Sequence, residues 1–342
     1  MTQDSNNSSV TEVDKIISPM LTTKCEKYSP NGSRCEQLAV EGSRLCKWHI
    51  PGEKHWENDD EVKDSLEKMC RDGQSLSGFF IQNVNLHNIA LNNADLETVD
   101  FSKSDLSYAH FYGANMQGAN LFKADLTGAN LRAANLINCN FLGANLYKTK
   151  LDNATWDCNY VIINEKEAIA AEKNNDLKLA EQKYREAEEI YRNIKLILGD
   201  QGHGRDESHF FLREMIVHRK QRPLFSFMRF LSKLLDLTTG YGEKPLNVIV
   251  TMIVDITMCA MFYGIFGVHY GALTLRFTNN AMPPAETIGN LLYFSTVVFT
   301  TVGFGDITPI GASKAIMMVQ GLSGQVLIAF FIVALYKRMM SR

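Results

Sequence analysis

The apolar residues of this chain follow three different rhythms. From Ile81 to Trp156 every fifth residue is apolar: sixteen positions, opening with Ile81, Leu86, Leu91 and Leu96 and closing with Phe141, Leu146, Leu151 and Trp156. With 45% of residues apolar, such a run would arise by chance about three times in a million, so the period is real. Five fits neither a helix, at about 3.6 residues per turn, nor a strand, at about two. It fits a solenoid that turns a corner every five residues. The residue two before each centre is usually small (Ala94, Ala109, Ala114, Ala119, Ala124, Ala129, Ala134, Ala144, Ala154) and should share the interior with the centres. Phe79, Val84 and Ile89 early, and Thr149 late, break that rule and predict irregular caps.

The second rhythm is helical. Leu177, Ala180, Tyr184, Ala187, Tyr191, Ile194 and Leu198 alternate steps of three and four, the narrow seam of an amphipathic helix. Gly199, Gly202 and Gly204 should end it. A second helix is expected over Glu207 to Gln221, with Phe210, Phe211 and Met215 available for packing. Residues 164–222 thus read as a helical hairpin, its seam packed either inside the hairpin or between subunits.

The third rhythm is unbroken. Leu246 to Val268 is 23 residues with one charge, Asp255, and Ala315 to Leu335 is 21 residues with none. Both reach the roughly 20 residues that cross a bilayer. Pro223 to Leu237 is apolar on one side with Arg229 and Lys233 opposite, which suits a helix lying in the membrane interface. Glu286 to Phe299 is apolar but too short to span. Basic residues crowd the segment before the first span (Arg213, Arg219, Lys220, Arg222, Arg229, Lys233, Lys244) and follow the second (Lys337, Arg338, Arg342). The loop between, His269 to Lys314, carries only Arg276 and Lys314, so both termini are expected on the cytoplasmic side of a cell membrane.

Composition adds limits. The chain has 342 residues, room for several domains, and a formal net charge of −3, which offers no whole-chain field for nucleic acid. Seven scattered cysteines do not form a secreted disulfide framework. Residues 1–22 are polar, without a signal-peptide core, and read as a disordered lead.

The five-residue pattern resembles the pentapeptide-repeat family, A-(D/N)-L-x-x, over about eighty residues. The resemblance implies a right-handed quadrilateral β-helix of four coils over residues 76–157, about 19 Å tall at 4.8 Å per strand. Some members imitate DNA with an acidic surface. Between Phe79 and Trp156 six acids face five bases, which argues against mimicry and for a rigid scaffold that binds a cytoplasmic protein or ligand.

The short apolar run leads into Thr300, Thr301, Val302, Gly303, Phe304, Gly305 and Asp306. This resembles the potassium-channel filter signature T-V-G-Y-G-D, with Phe304 in place of Tyr, and the order span, re-entrant helix, filter, span resembles the two-transmembrane potassium channels, prokaryotic members included. The resemblance implies a homotetramer conducting K+, with residues 246–342 as the pore domain. A bare potassium ion needs oxygens in place of its water. Carbonyls of Thr301, Val302, Gly303 and Phe304 with the Thr301 hydroxyl can supply them. Gly303 and Gly305 permit backbone angles that other residues resist. Thr300 and Asp306 would support the filter, Asp306 anchoring its outer mouth. Where some relatives place a Glu behind the filter this chain has Val297, so gating by a Glu–Asp contact is not expected.

Gly321 and Gly324 lie in the second span as candidate gating hinges or as close-packing positions. Asp255 is an intramembrane acid, expected to be protonated or hydrogen-bonded to another helix. No span carries the regular Arg spacing of a voltage sensor.

Cys25, Cys35, Cys46 and His49 give C-x9-C-x10-C-x2-H over residues 23–52. Three thiolates and an imidazole suit structural Zn2+, and a segment this short needs metal to fold; free cytosolic cysteines are the alternative. The spacing resembles small zinc modules of some plant regulators. Residues 53–75 read as a connector, helical from Glu61 to Cys70, and residues 223–245 as the interfacial helix with its linker. The whole is a multidomain membrane protein, expected to be a potassium channel gated through its N-terminal assembly. A nonselective cation channel and a membrane-anchored scaffold are the alternatives. No nucleophile–base pair, phosphate loop or catalytic metal pattern suggests an enzyme.

Overall fold

The computed structural model describes residues 23–30, 32–52, 55–223, 225–279 and 282–340. The lead expected over residues 1–22 lies outside them, as do Asn31, Leu224 and Arg342.

Parallel bridges join every fifth residue to the one twenty ahead, from Phe80–Asp100 to Asn135–Thr155. Twenty residues per coil are four pentapeptides, so the apolar centres stack in columns such as Leu86, Leu106, Leu126 and Leu146. Fifteen of the sixteen centres are at most 5% exposed. The last, Trp156, meets Phe210 edge-on at 4.9 Å. Each corner closes with a backbone bond such as Ala109 N–H to Leu106 O, 3.1 Å. The third residue of each turn takes positive φ, as in a type II turn: Asn88 at 56°, Lys103 at 61°, Tyr108 at 57°, Gly113 at 67°. The sequence reading did not foresee this column, because Lys and Tyr there give no turn signal.

The caps come from outside the repeat. An open strand edge recruits other strands, so it must be covered. At the N-terminal end Phe80 N–H donates to Trp48 O (2.7 Å), Asn85 N–H to Asp59 Oδ2 (3.1 Å) and Ala90 N–H to Glu67 Oε1 (2.9 Å). Asp59 and Glu67 lie on α1 (Asp59–Arg71), which Asn58 caps by accepting from the Asp60 and Glu61 N–H groups. α1 buries Val62, Leu66 and Met69 in the same core. The expected connector is therefore a lid on the solenoid. At the other end Gln201 accepts from Leu151 N–H (3.3 Å) and donates to Thr149 O.

Residues 163–220 hold three helices rather than the expected two: α2 (Ile163–Lys173), α3 (Leu177–Asp200) and α4 (Gly204–Lys220). α2 escaped detection because its buried positions are Ala168, Ala171, Asn164 and Glu165, which make no apolar stripe. α3 runs through Gly199, and Gly204 opens α4 instead of ending α3. The α3 seam is buried within the chain except Leu177, which is exposed. Buried Glu165 takes the Tyr191 hydroxyl at 2.5 Å and both Nε (3.1 Å) and a terminal nitrogen of Arg213. Arg213, counted above among the basic residues before the first span, is thus an internal ion-pair partner. One apolar core runs unbroken from Cys25 to Val217.

The remainder forms a separate unit with its own small core. α5 (Phe227–Thr239) leads through a left-handed Gly240 to α6 (Pro245–Phe266). β1 (Val268–Tyr270) and β2 (Leu273–Leu275) make a hairpin, α7 (Pro284–Phe299) follows, and β3 (Ile307–Pro309) precedes α8 (Ser313–Met340). At 1.5 Å per residue α6, with 22 residues, is about 33 Å long and α8, with 28, about 42 Å; the 16-residue α7 reaches only about 24 Å. A hydrocarbon core is about 30 Å thick, so α6 and α8 can span it and α7 cannot. The most apolar stretches of α6 and α8 are 28% and 17% buried, so their side chains face outward, as lipid-facing helices do. The strands pair antiparallel in the order β2-β1-β3 and tie together the residues after α6 and after the turn that follows α7.

Candidate ion pathway and metal centre

The turn after α7 begins inside the helix's last hydrogen bonds. Thr301 N–H donates to Val298 O (3.0 Å) and Val302 N–H to Val297 O (3.1 Å). φ then alternates in sign: Thr301 58°, Gly303 58° and Gly305 80° are positive, while Val302 and Phe304 are not. Alternating right- and left-handed residues turn successive N–H groups to one side and carbonyls to the other. Thr301 is β-branched, and positive φ costs such a residue about 1–3 kcal/mol; strain of this kind collects at functional sites. Thr300 through Asp306 is exposed along its whole length, Val302 at 55% and Phe304 at 69%.

Supports gather behind the turn. The Tyr293 hydroxyl of α7 is close enough to Asp306 to feel its carboxylate. Gln320 of α8 accepts from the Tyr263 hydroxyl of α6 (2.8 Å) and donates to Ser295 Oγ of α7 (2.7 Å), while Ser295 Oγ donates to Ile256 O (2.7 Å). This polar clasp joins all three helices. Val297 is buried, as an apolar residue behind the turn should be.

Residues 262–341 match the family model described as an ion channel. Residues 81–118 and 119–155 match eight copies of pentapeptide repeats. The chain joins a pentapeptide-repeat β-helix to an ion-channel domain. Among solved structures it is similar to the pentapeptide repeat protein Rfr23 of the cyanobacterium Cyanothece 51142, at 42% identity over 26% of this chain and 60% of that one, with a TM-score of 0.25. HetL of Nostoc sp. strain PCC 7120, involved in heterocyst differentiation regulation, matches at 29% identity over 24% and 38%, with a TM-score of 0.23. A pentapeptide repeat protein of the Arabidopsis thaliana thylakoid lumen matches at 27% identity over 31% and 79%, with a TM-score of 0.20. The chain spans less than two thirds of the first two. No curated protein matches the sequence.

In the ion-channel domain, Asp255 Oδ1 accepts from Ser323 Oγ at 3.3 Å, and its Oδ2 is buried without a partner among the described residues. The two α8 glycines differ. A Cβ on Gly321 would meet nothing within 4 Å, whereas one on Gly324 would press on the Phe299 carbonyl oxygen. Sequence reasoning missed Gln320, Ser295, Tyr263 and Tyr293. Polar residues inside apolar helices were the available signal.

At the opposite end of the chain, Cys25, Cys35, Cys46 and His49 bring their ligand atoms within 4.8 Å of one another. Cys35 and Cys46 sulfurs are 3.8 Å apart; His49 Nδ1 lies 3.5 Å from Cys25 Sγ and 3.3 Å from Cys46 Sγ. With Zn–S about 2.3 Å and Zn–N about 2.05 Å, a tetrahedron sets S···S near about 3.8 Å and S···N near about 3.6 Å. The residues fit such an ion. The hydrogen bond from Cys35 lowers the Cys46 thiol, with His49 reinforcing it against burial. His49 Nε2 is 3.0 Å from Ser77 O, which fixes that nitrogen as the N–H donor and leaves the Nδ1 lone pair toward the sulfurs. His49 and Trp48 both pack on Phe79, at 4.8 and 5.6 Å. The metal-type cluster is therefore built into the cap of the β-helix.

Proposed function

We propose that the protein is a homotetrameric, potassium-selective channel of the cell membrane, with cytoplasmic termini, gated through its N-terminal assembly. The observation that carries this reading is the alternating backbone of Thr301–Gly305, exposed on the single chain at the end of a half-length helix between two spans. One such turn offers carbonyls on one side only. Four copies facing each other close a tube in which the Thr301, Val302, Gly303 and Phe304 carbonyls and the Thr301 hydroxyl replace the ion's water. The carboxyl-terminal end of α7 adds partial negative charge. Thr300 and Asp306 support the filter, the latter through Tyr293. Asp255 ties α6 to α8, and the glycines of α8 are the candidate hinges.

Contacts between α4 and the ends of the spans support gating from the N-terminal assembly. Arg219 of α4 pairs with Asp236 of α5 (2.9 Å) and reaches the Tyr241 hydroxyl (3.0 Å). Glu243, just before the first span, accepts from Ser208 of α4 (2.9 Å) and from Lys337 at the end of the second. Structural Zn2+ held by Cys25, Cys35, Cys46 and His49 would fasten the far end.

Flux through purified protein in liposomes tests the reading. Barium-sensitive flux down a potassium gradient, absent with sodium and lost in Gly303→Ala, is expected. Equal potassium and sodium flux would replace it with a nonselective channel. No flux, with a protein captured by residues 23–222, would favour a scaffold, for which Tyr108, Tyr112 and Tyr147 stand exposed on the β-helix.

A further inference from the structure

Where α4 begins, α6 begins and α8 ends, the chain lines a half-open cavity of about 730 Å³. Its walls carry Arg205 and His209 from α4, Lys244 from the entry to α6, and Lys337 and Arg338 from the end of α8. The single carboxylate there, Glu243, is already taken by Lys337 and Ser208. The excess charge is positive. Burial holds the His209 imidazole below its usual range; of the charges around it Asp206 pulls it up, and Arg205 and Lys244 pull it down. The remaining wall is apolar and opens toward the spans, with Leu246 66% and Met339 74% exposed. The positive end of α6 adds to the field.

We propose that this cavity binds the phosphate headgroup of an anionic membrane lipid, joining α4 to the ends of both spans. The chemistry that recognises it is a phosphate oxyanion beside an acyl chain. Cations between span ends at the cytoplasmic face select such headgroups, and guanidinium matches phosphate geometrically. A soluble phosphate would use the cations but leave the apolar wall unused, so the lipid is the better occupant. The proposal rests on the membrane placement of the spans and not on potassium selectivity.

Native mass spectrometry of the full-length protein, titrated with phosphatidylglycerol or phosphatidylcholine, tests it without reading conduction. Phosphatidylglycerol should be retained at least about tenfold more tightly. Arg205→Gln and Lys244→Gln should each weaken it about fivefold, near the effect of one cation at an anionic surface. Arg205→Lys should keep most of the affinity, and Lys233→Gln, on α5, should change nothing. Equal retention of the two lipids overturns the proposal. So does displacement of the lipid by inorganic phosphate at equal concentration, which would make the site one for a soluble anion. Full affinity in the Arg205→Gln, Lys244→Gln double variant also overturns it. A protein that conducts no ions can still pass this test, and a conducting one can fail it.

Discussion

The two halves of this chain solve the burial problem in opposite ways. The N-terminal half closes on itself. Its apolar centres are buried within one chain, and both open edges of the β-helix are covered by segments of the same chain. The membrane half does not close. Its spans turn most of their side chains outward, and the alternating turn after α7 has no wall opposite it. A soluble core loses about 1 kcal/mol for each buried methylene removed, and more where a cavity is left. A membrane unit that borrows lipid and further copies for its surroundings should respond more to shape at its few close contacts. The first half should therefore yield large stability losses, the second small losses with large functional ones.

The sharpest test of the closed half is its metal-type cap. Ligation in isolated zinc modules is worth on the order of 10 kcal/mol, and a bound ion here would hold Trp48 and His49 against Phe79. Cys46→Ser or chelation should release about one equivalent of zinc per chain and lower the melting temperature more than any other single change. Amide exchange should accelerate first at Phe80, whose N–H bonds Trp48 O. Full retention of zinc in Cys46→Ser would show that the cluster is not a ligand set.

Next comes the buried pair at the other end. Arg213→Ala would leave the Glu165 carboxylate, 3% exposed, with only the Tyr191 hydroxyl. Uncompensated buried charges cost about 3–5 kcal/mol. Chemical denaturation of residues 23–222 should show that loss, and Glu165→Gln in the same background should recover much of it. Loss below about 1 kcal/mol would mean that water replaces the guanidinium.

The Glu165–Arg213 pair also marks the limit of what the sequence discloses. The five-residue centres, the α3 seam, the two spans and the Cys/His spacing were legible because each repeats locally or sits in one short motif. The pair joins residues 48 apart, and nothing in the sequence near Arg213 distinguishes it from the other basic residues of α4. α2 was illegible because alanine packing leaves no stripe. The strands around the turn after α7 have three residues each, too few for a period. At that turn the motif named the residues. Their supports, Gln320, Ser295 and Tyr263, come from three helices and meet only in space.

In the open half the two glycines of α8 separate packing from bending. Gly324→Ala drives a methyl group onto the Phe299 carbonyl, one residue before the turn, and should cost about 1–3 kcal/mol. Gly321→Ala meets nothing, and relief from glycine should gain about 0.5–1 kcal/mol of helix stability. Thermal stability in detergent should therefore move in opposite directions. Single-channel recording adds the second axis: a hinge at Gly321 predicts fewer openings in Gly321→Ala despite its stability. Unchanged openings would leave Gly321 without that role.

The smallest effect returns to the closed half and concerns charge. Glu172 of α2 meets Lys220 of α4 at 2.8 Å and the Tyr184 hydroxyl at 2.8 Å. Lys220 first, then Tyr184, hold its carboxyl below the ordinary carboxylate range against the opposing effect of burial. A carboxyl group whose folded pKa is depressed stabilises above its unfolded value, about 4.3, and that contribution fades as pH falls through the folded value. Both side chains are 34% exposed, so solvent screening limits the contribution to less than about 1 kcal/mol. Glu172→Gln should thus cost a few tenths of a kcal/mol near neutral pH. The gap from the parent should close below about pH 4 and narrow in high salt. A gap that widened on acidification would mean that the carboxyl is favoured in its protonated form, and that the contact joining α2 to α4 is held by the tyrosine rather than the lysine.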